Sequence, residues 1–153
     1  MDFGGPLYCC GFPGRKVYIL LFTCSIIKAV HIEMVESLSV QDFLLCFRRF
    51  VARKGLPVVI YSGKAKTFVK WQTKLLEMYG RECPTWKFIA PRAPWWRYWW
   101  EKLVGSVKSA LKNSVARASL TRQELETVLH EIEARINFHP LTYVGTDVNA
   151  PAP

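Results

Sequence analysis

Between a Gly11-Phe12-Pro13-Gly14 turn and a later alternating segment lies Lys16-Val17-Tyr18-Ile19-Leu20-Leu21-Phe22-Thr23, an apolar run rich in β-formers. A strand that is apolar on both faces must be covered on both faces. This run therefore predicts a central strand, with other elements layered above and below it. A membrane span is excluded: the longest apolar stretch, Val17 to Ile27, is too short and is broken by Thr23, Cys24 and Ser25.

The flanking segments agree with a sheet. Phe3 to Cys10, after Asp2, reads as a first strand cut short at its N-terminal end. Lys28 to Met34 alternates polar and apolar residues, the mark of a half-buried strand. These three strands form an antiparallel meander. Ser39 with Asp42 then caps a helix whose Val40, Phe43, Leu44, Phe47 and Val51 recur at helical spacing, and Gly55 and Pro57 end it. Val58 to Tyr61 is a short buried strand. Lys66 to about Tyr79 is a helix with Phe68, Leu75, Leu76 and Tyr79 facing in, and Trp86 to Ile89 is a fifth strand. Pro91-Arg92-Ala93-Pro94 reads as a loop. A long helix from Trp99 to about Arg117 carries the stripe Leu103, Val104, Val107, Leu111 and Val115. Thr121 with Glu124 opens a last helix bearing Leu125, Val128, Leu129, Ile132 and Ile136, which ends before Pro140. The order β-β-β-α-β-α-β-α-α predicts an α/β fold: a mixed five-stranded sheet, three antiparallel strands then two parallel, flanked by helices. Residues 1–143 form one domain and 144–153 a loose tail.

The formal net charge is +9. From Arg92 to Arg117 the bases are Arg92, Arg97, Lys102, Lys108, Lys112 and Arg117 against one acid, Glu101, and Lys64 to Lys74 holds four lysines and no acid. Such clustering favours a polyanion-binding surface over a merely soluble basic protein. The five cysteines form no CxxC pair and no zinc spacing with histidine, and Cys24 and Cys46 read as small buried hydrophobes. A reducing intracellular compartment fits, and the first residues show no secretory signal.

Asp2 opens the first strand, Gly63 follows the fourth, and Glu101 falls in the first turn of the long helix. In this fold the first and fourth strands are neighbours and the long helix folds over both. Carboxylates converging there would hold two hard cations for phosphodiester chemistry. Taken alone, Asp2 also reads as a solvated acid and Glu101 as an ordinary helix-start acid.

Several segments together carry a resemblance. They are Asp2-Phe3-Gly4-Gly5-Pro6-Leu7-Tyr8, Lys28-Ala29-Val30-His31-Ile32-Glu33, Phe43-Leu44-Leu45 with Arg48-Arg49-Phe50, and Gly55-Leu56-Pro57 leading to Ile60-Tyr61-Ser62. The most specific is Trp86-Lys87-Phe88-Ile89, Pro91-Arg92-Ala93-Pro94-Trp95-Trp96 and Trp100-Glu101-Lys102-Leu103-Val104, with Ser106-Val107-Lys108; Asn137 and Pro140-Leu141-Thr142-Tyr143 complete it. In order and nearly throughout, the chain resembles the RNase H-like integrase core of BEL/Pao-type retrotransposons. The resemblance implies DNA integration by Mg²⁺- or Mn²⁺-dependent strand transfer in the nucleus, at a DDE site. Asp2 and Glu101 would be its catalytic and metal-binding residues. It implies DNA as partner and no small-molecule cofactor.

The second aspartate of that site is missing. Where the family has Tyr-Ser-Asp-Asn-Gly-Thr-Asn-Phe, this chain has Tyr61-Ser62-Gly63-Lys64-Ala65-Lys66-Thr67-Phe68, and 37 residues separate Gly63 from Glu101, close to the family spacing. Glycine has no ligand, and Lys64 and Lys66 add repulsion toward a cation worth on the order of a few kcal/mol. Arg97-Tyr98 replaces a Gly-Gly usual after the paired tryptophans. The expectation is a catalytically impaired core, a pseudoenzyme. DNA contacts would fall to Lys64, Lys66, Arg92, Arg97, Lys108 and Lys112, the last two on the Glu101 face of the helix. The alternatives are a non-catalytic DNA-binding or dimerisation module, and an active enzyme whose metal site is completed by another group. The aromatic run Trp95, Trp96, Tyr98, Trp99 and Trp100 reads as core or homodimer-interface packing, or as base-stacking surface. His31 reads as structural, and His130 and His139 have no partner at metal spacing.

Overall fold

The computed structural model describes residues 1–9, 16–89, 94–115 and 120–138, with the backbone alone at 94–101, 103 and 115. Strands β1 (Asp2–Tyr8), β2 (Lys16–Thr23) and β3 (Val30–Val35) are followed by α1 (Val40–Lys54), β4 (Val59–Ser62) and α2 (Lys66–Tyr79). A 3₁₀ turn, Gly80–Glu82, leads to β5 (Thr85–Phe88), and α3 (Pro94–Val115) and α4 (Arg122–Phe138) complete the chain. β1, β2 and β3 pair antiparallel in that order, and β4 pairs parallel with β5. The two sets meet where the Met1 amine donates to the Tyr61 carbonyl at 2.8 Å.

β2 takes the central place that its composition demands. Leu20 and Phe22 face α1 and α2, packing with Phe43, Phe47, Trp71 and Trp86. Val17, Ile19 and Leu21 face the other way, onto Val104, Val107 and Leu111 of α3 and Leu125, Leu129 and Ile132 of α4. Burial on both faces of β2 is what sets helices on both sides of the three-stranded sheet.

Local signals set most boundaries. The Ser39 hydroxyl caps α1 by accepting from Asp42 N at 3.1 Å, while the Asp42 carboxylate accepts from Ser37 Oγ instead of reaching back to Ser39. At α4 the reciprocal box forms, with Thr121 N donating to Glu124 Oε2 at 2.7 Å and Glu124 N to Thr121 Oγ1 at 3.4 Å. Gly55, at φ 86°, closes α1 in a conformation that a β-carbon disfavours.

Several expectations change. β4 starts at Val59, not at Val58, which is 82% exposed. α3 begins at Pro94 and not near Trp99, because proline is compatible with the first turn of a helix, where its missing N–H has no helical partner in any case. Glu101 therefore sits beyond the first turn. Leu76 is 59% exposed, and Trp71 takes the inward place on α2. β3 starts at Val30, since residues 24–27 turn and Lys28 has φ 59°. Cys24 lies in that turn and is exposed, whereas Cys46 is fully buried, its thiol pushed up to about 12 by burial and the nearby Glu33 charge against the pull of Arg49. The Gly11–Gly14 turn, most of the Pro91–Pro94 loop and the 144–153 tail lie outside the described residues.

β3 is an outer strand, and α4 covers its open edge. Asn137 Oδ1 accepts from Val30 N and Asn137 Nδ2 donates to Val30 O, each at 2.7 Å. One turn earlier, Glu133 Oε2 accepts from Ile32 N at 2.8 Å. The other oxygen of Glu133 meets His31 Nδ1 at 3.1 Å, and His31 Nε2 meets Glu33 Oε1 at 3.0 Å. Arg49 Nε and Arg53 of α1 complete the cluster by donating to Glu33 at 2.8 and 3.3 Å. Burial alone would lower the His31 pKa; hydrogen bonds and charge from Glu133 and Glu33 outweigh it and raise it to about 9.

Asn137→Ala leaves both Val30 backbone groups without their partner. We expect a loss of about 1–2 kcal/mol, read as a fall in Tm of about 3–6 °C. The folded His31 pKa lies above its ordinary 6.5, so the stabilisation is complete below pH 6.5 and disappears as pH rises through about 9. Denaturant titrations should show the advantage of the wild type over His31→Gln shrinking across that window. An advantage independent of pH would sink the assignment.

Candidate functional site

The candidate site lies where β1 begins and β4 ends. β4 is short and ends on Ser62, which is buried. The Trp86 indole N–H of β5 donates to Ser62 Oγ at 2.8 Å, and Ser62 Oγ donates to the Gly63 carbonyl at 3.0 Å. This chain fixes the backbone as it leaves the sheet. Gly63 follows, with nothing within 4 Å of where its β-carbon would stand. Its φ is not positive, so neither conformation nor space requires glycine there.

Asp2 opens β1, and the amine just before it binds Tyr61, two positions ahead of Gly63. The structure thus brings Asp2 and Gly63 to adjacent strand ends. Burial pushes the Met1 amine down to about 5, with the Asp2 charge opposing.

α3 crosses this end and brings Lys108. Its Nζ is 3.9 Å from Asp2 Oδ2, and its Cε lies 3.4 Å from the β-carbon position of Gly4. A β-carbon at Gly4 would be in ordinary van der Waals contact with the aliphatic stem of Lys108. The Asp2 carboxylate, one-third exposed, has an ammonium as its charge partner. Lys108, read from the sequence as a DNA contact, stands beside this acid.

Lys64 follows Gly63 directly, and Lys66 is the first residue of α2; both are exposed. Lys112 is exposed one turn beyond Lys108 on α3. Lys87, on β5, sits 6.0 Å from the centre of the Tyr61 ring. Glu101 lies on α3 seven residues before Lys108, or about 10 Å along the helix axis. The side chains of Glu101, Arg97 and the tryptophan-rich run, and Arg92 altogether, lie outside the described residues.

Two cations bound at this end would need several oxygen ligands. Among the described residues no three His, Cys, Asp or Glu side chains stand close enough to hold a metal ion. Asp2, with an ammonium beside it and a glycine at the adjacent strand end, does not by itself fit such a group.

Sequence reasoning missed the ion cluster that fixes β3. Its signal was legible: His31 and Glu33 share a strand face, and Arg49 and Arg53 are one helical turn apart. No periodicity points to Glu133, the second carboxylate on His31.

The chain was compared with known proteins. No family model and no curated protein matches it. Solved structures do. The HTLV-2 integrase catalytic core domain in complex with magnesium, in its trimeric form, is 12% identical with a TM-score of 0.62, covering 90% of this chain and 83% of that one. The dimeric form gives 12% identity and 0.56, covering 78% and 72%. The simian T-cell lymphotropic virus intasome in complex with PP2A regulatory subunit B56 gamma gives 12% and 0.66, covering 93% of this chain and about half (53%) of that one. The fold is that of retroviral integrase catalytic cores, which are RNase H-like.

Because the Gly63 position is open, Gly63→Asp should fold normally. Its Tm should lie within about 2 °C of wild type, the range of an unobstructed surface change. A larger drop in thermal unfolding would mean that the site requires glycine.

Proposed function

We propose that this chain is a retroelement integrase core that has lost strand transfer and kept a nucleic-acid-binding surface. The integrase fold supports the general class. One observation carries the loss: the Asp2 carboxylate lies 3.9 Å from the Lys108 ammonium, beside a strand end where Gly63 stands in place of an acid. An active core of this type uses Mg²⁺ to polarise the phosphodiester and its attacking oxygen. Here Asp2 and Glu101 are the residues left to hold it. The positive charge of Lys64, Lys66 and Lys108 opposes metal binding and favours phosphate. The BEL/Pao-type origin and a nuclear location rest on the sequence motifs alone. No helix among the described residues is long and apolar enough to cross a membrane.

The test is strand transfer on an oligonucleotide substrate in Mg²⁺ or Mn²⁺. The unmodified chain is expected to be inactive and Gly63→Asp to recover product. Activity in the unmodified chain that disappears on Glu101→Gln overturns the reading.

The binding surface is tested separately. The chain should bind duplex DNA at about 1–100 μM near physiological salt, the affinity falling steeply as salt rises. Lys64→Glu with Lys66→Glu should reduce the slope of log K against log salt by about 1–2. Binding that ignores salt would remove the basic-surface argument.

A further inference from the structure

The cover that α4 gives to the edge of β3 stops partway along the strand. In an antiparallel pair, alternate residues turn their N–H and C=O away from the partner strand. Val30 and Ile32 do so on β3, since their N–H groups bond Asn137 and Glu133. By the same alternation Met34, paired with Ile19 of β2, turns both of its backbone groups outward. Among the described residues nothing bonds them or the Ile32 carbonyl. This stretch is the floor of a cleft of about 210 Å³, with α1 on one side and α4 on the other.

The two walls differ, because successive side chains of β3 face opposite ways. Glu33 faces α1, where Arg49 and Arg53 donate to it at 2.8 and 3.3 Å. Both arginines are about half exposed and line the cleft. Each guanidinium keeps further N–H donors beyond the one that Glu33 takes. Met34 faces α4 and packs in the layer of the buried Leu129, which also lines the cleft.

Charge is uneven as well. His31, Arg49 and Arg53 share the carboxylates of Glu33 and Glu133, and His31 is charged because those partners raise its pKa to about 9. Lys54 adds a cation near Glu133. Across the cleft Arg122 pairs with Glu36, and Glu126 stands exposed, its charge reaching Arg49. Leaving that pair aside, four cations face three carboxylates, and the surplus lies on the α1 side. A carboxylate is therefore favoured at the α1 wall and opposed at the α4 wall. Phosphate would suit the arginines but would meet the bare Ile32 and Met34 carbonyls. A peptide backbone supplies both donors and acceptors.

We propose that this cleft takes an extended acidic peptide, which adds to the edge of β3 over residues 32–34 with an apolar residue opposite Met34 and an acidic one, next in its sequence, opposite Glu33. The peptide runs antiparallel to β3, the more stable pairing per residue. The apolar residue exchanges both main-chain bonds with Met34, and the residue two further on donates to the Ile32 carbonyl. The ladder stops there, because Glu133 holds the Ile32 N–H. Directly opposed side chains share a face. The apolar one therefore meets Met34 and Leu129, and the acidic one meets Arg49 and Arg53, whose remaining donors offset its repulsion from Glu33. Main-chain bonds supply affinity and the two side chains selectivity. The inference is independent of the nucleic-acid reading, because none of the proposed DNA contacts lines the cleft.

The probe is an acetylated and amidated peptide of about eight residues, led by lysines for solubility and then built of valine and threonine, with a single glutamate directly after a valine. Added to the full chain, it should protect the Met34 amide from hydrogen exchange. Replacing its glutamate by glutamine should weaken binding about tenfold or more. Arg53→Gln should do the same, with thermal unfolding as the check that it folds. Methylating the backbone nitrogen of the valine before the glutamate removes the donor to Met34 and should abolish binding. Methylating that of the glutamate, which faces away from β3, should not. No protection of Met34, equal binding of the glutamine peptide, or equal binding of the two methylated peptides overturns the proposal. Displacement by inorganic phosphate at matched ionic strength overturns it in favour of a simple anion site. Protection of Met34 without peptide, accompanied by dimerisation, overturns it in favour of a second copy of the chain.

Discussion

The outer edge of β3 is where the fold has a problem to solve. An edge strand presents N–H and C=O groups that pair with any strand that approaches. Here a helix answers them with side chains. Asn137 supplies one acceptor and one donor to Val30, as a neighbouring peptide would, and Glu133 supplies an acceptor to Ile32. The spacing matches: four residues of helix rise about 6 Å, and two residues of strand about 6.6 Å. Helix α4 thereby has one register on the sheet. α3 packs in the same apolar layer, Val104, Val107 and Leu111 against Leu125, Leu129 and Ile132. The position of Lys108 over Asp2 follows from that register.

The ion cluster behind this contact is self-consistent as charge. His31 lies between two carboxylates, and the arginines of α1 take the rest of Glu33. Burial raises the Glu33 pKa, but the bonds from His31 and Arg49 outweigh it and hold the carboxyl below its usual range. Removing one member strands the others, so the cluster is more costly to break than to lack. It ties α1 and α4, on opposite faces, to the same strand.

Much of this was legible in the residues, and what was not has identifiable causes. The apolar run of β2 demanded cover on both faces and received it. Ser39, Gly55 and Thr121 with Glu124 marked helix ends because capping is local chemistry. Pro94 misled because proline is a breaker inside a helix and a starter at its first turn, and sequence alone does not say which. Leu76 was placed inward by a periodicity that Trp71 satisfies better. At the site, the absence of an acid at Gly63 was plain from the flanking Ile60-Tyr61-Ser62 and Thr67-Phe68. The pairing of Asp2 with Lys108 was not, since it depends on how α3 lies across β1, which the α4 lacing decides.

The seam between the two sets of strands is crossed by the Met1–Tyr61 hydrogen bond and by an aromatic layer. Phe3 of β1 packs on Phe68 of α2 at 5.2 Å, and Phe43 of α1 stacks on Trp71 of α2 at 4.1 Å. Dispersion and burial of this kind need no charge at the site. With the seam carried by apolar contacts, folding needs no charge at Gly63, and Lys108 stands as the charge partner of Asp2.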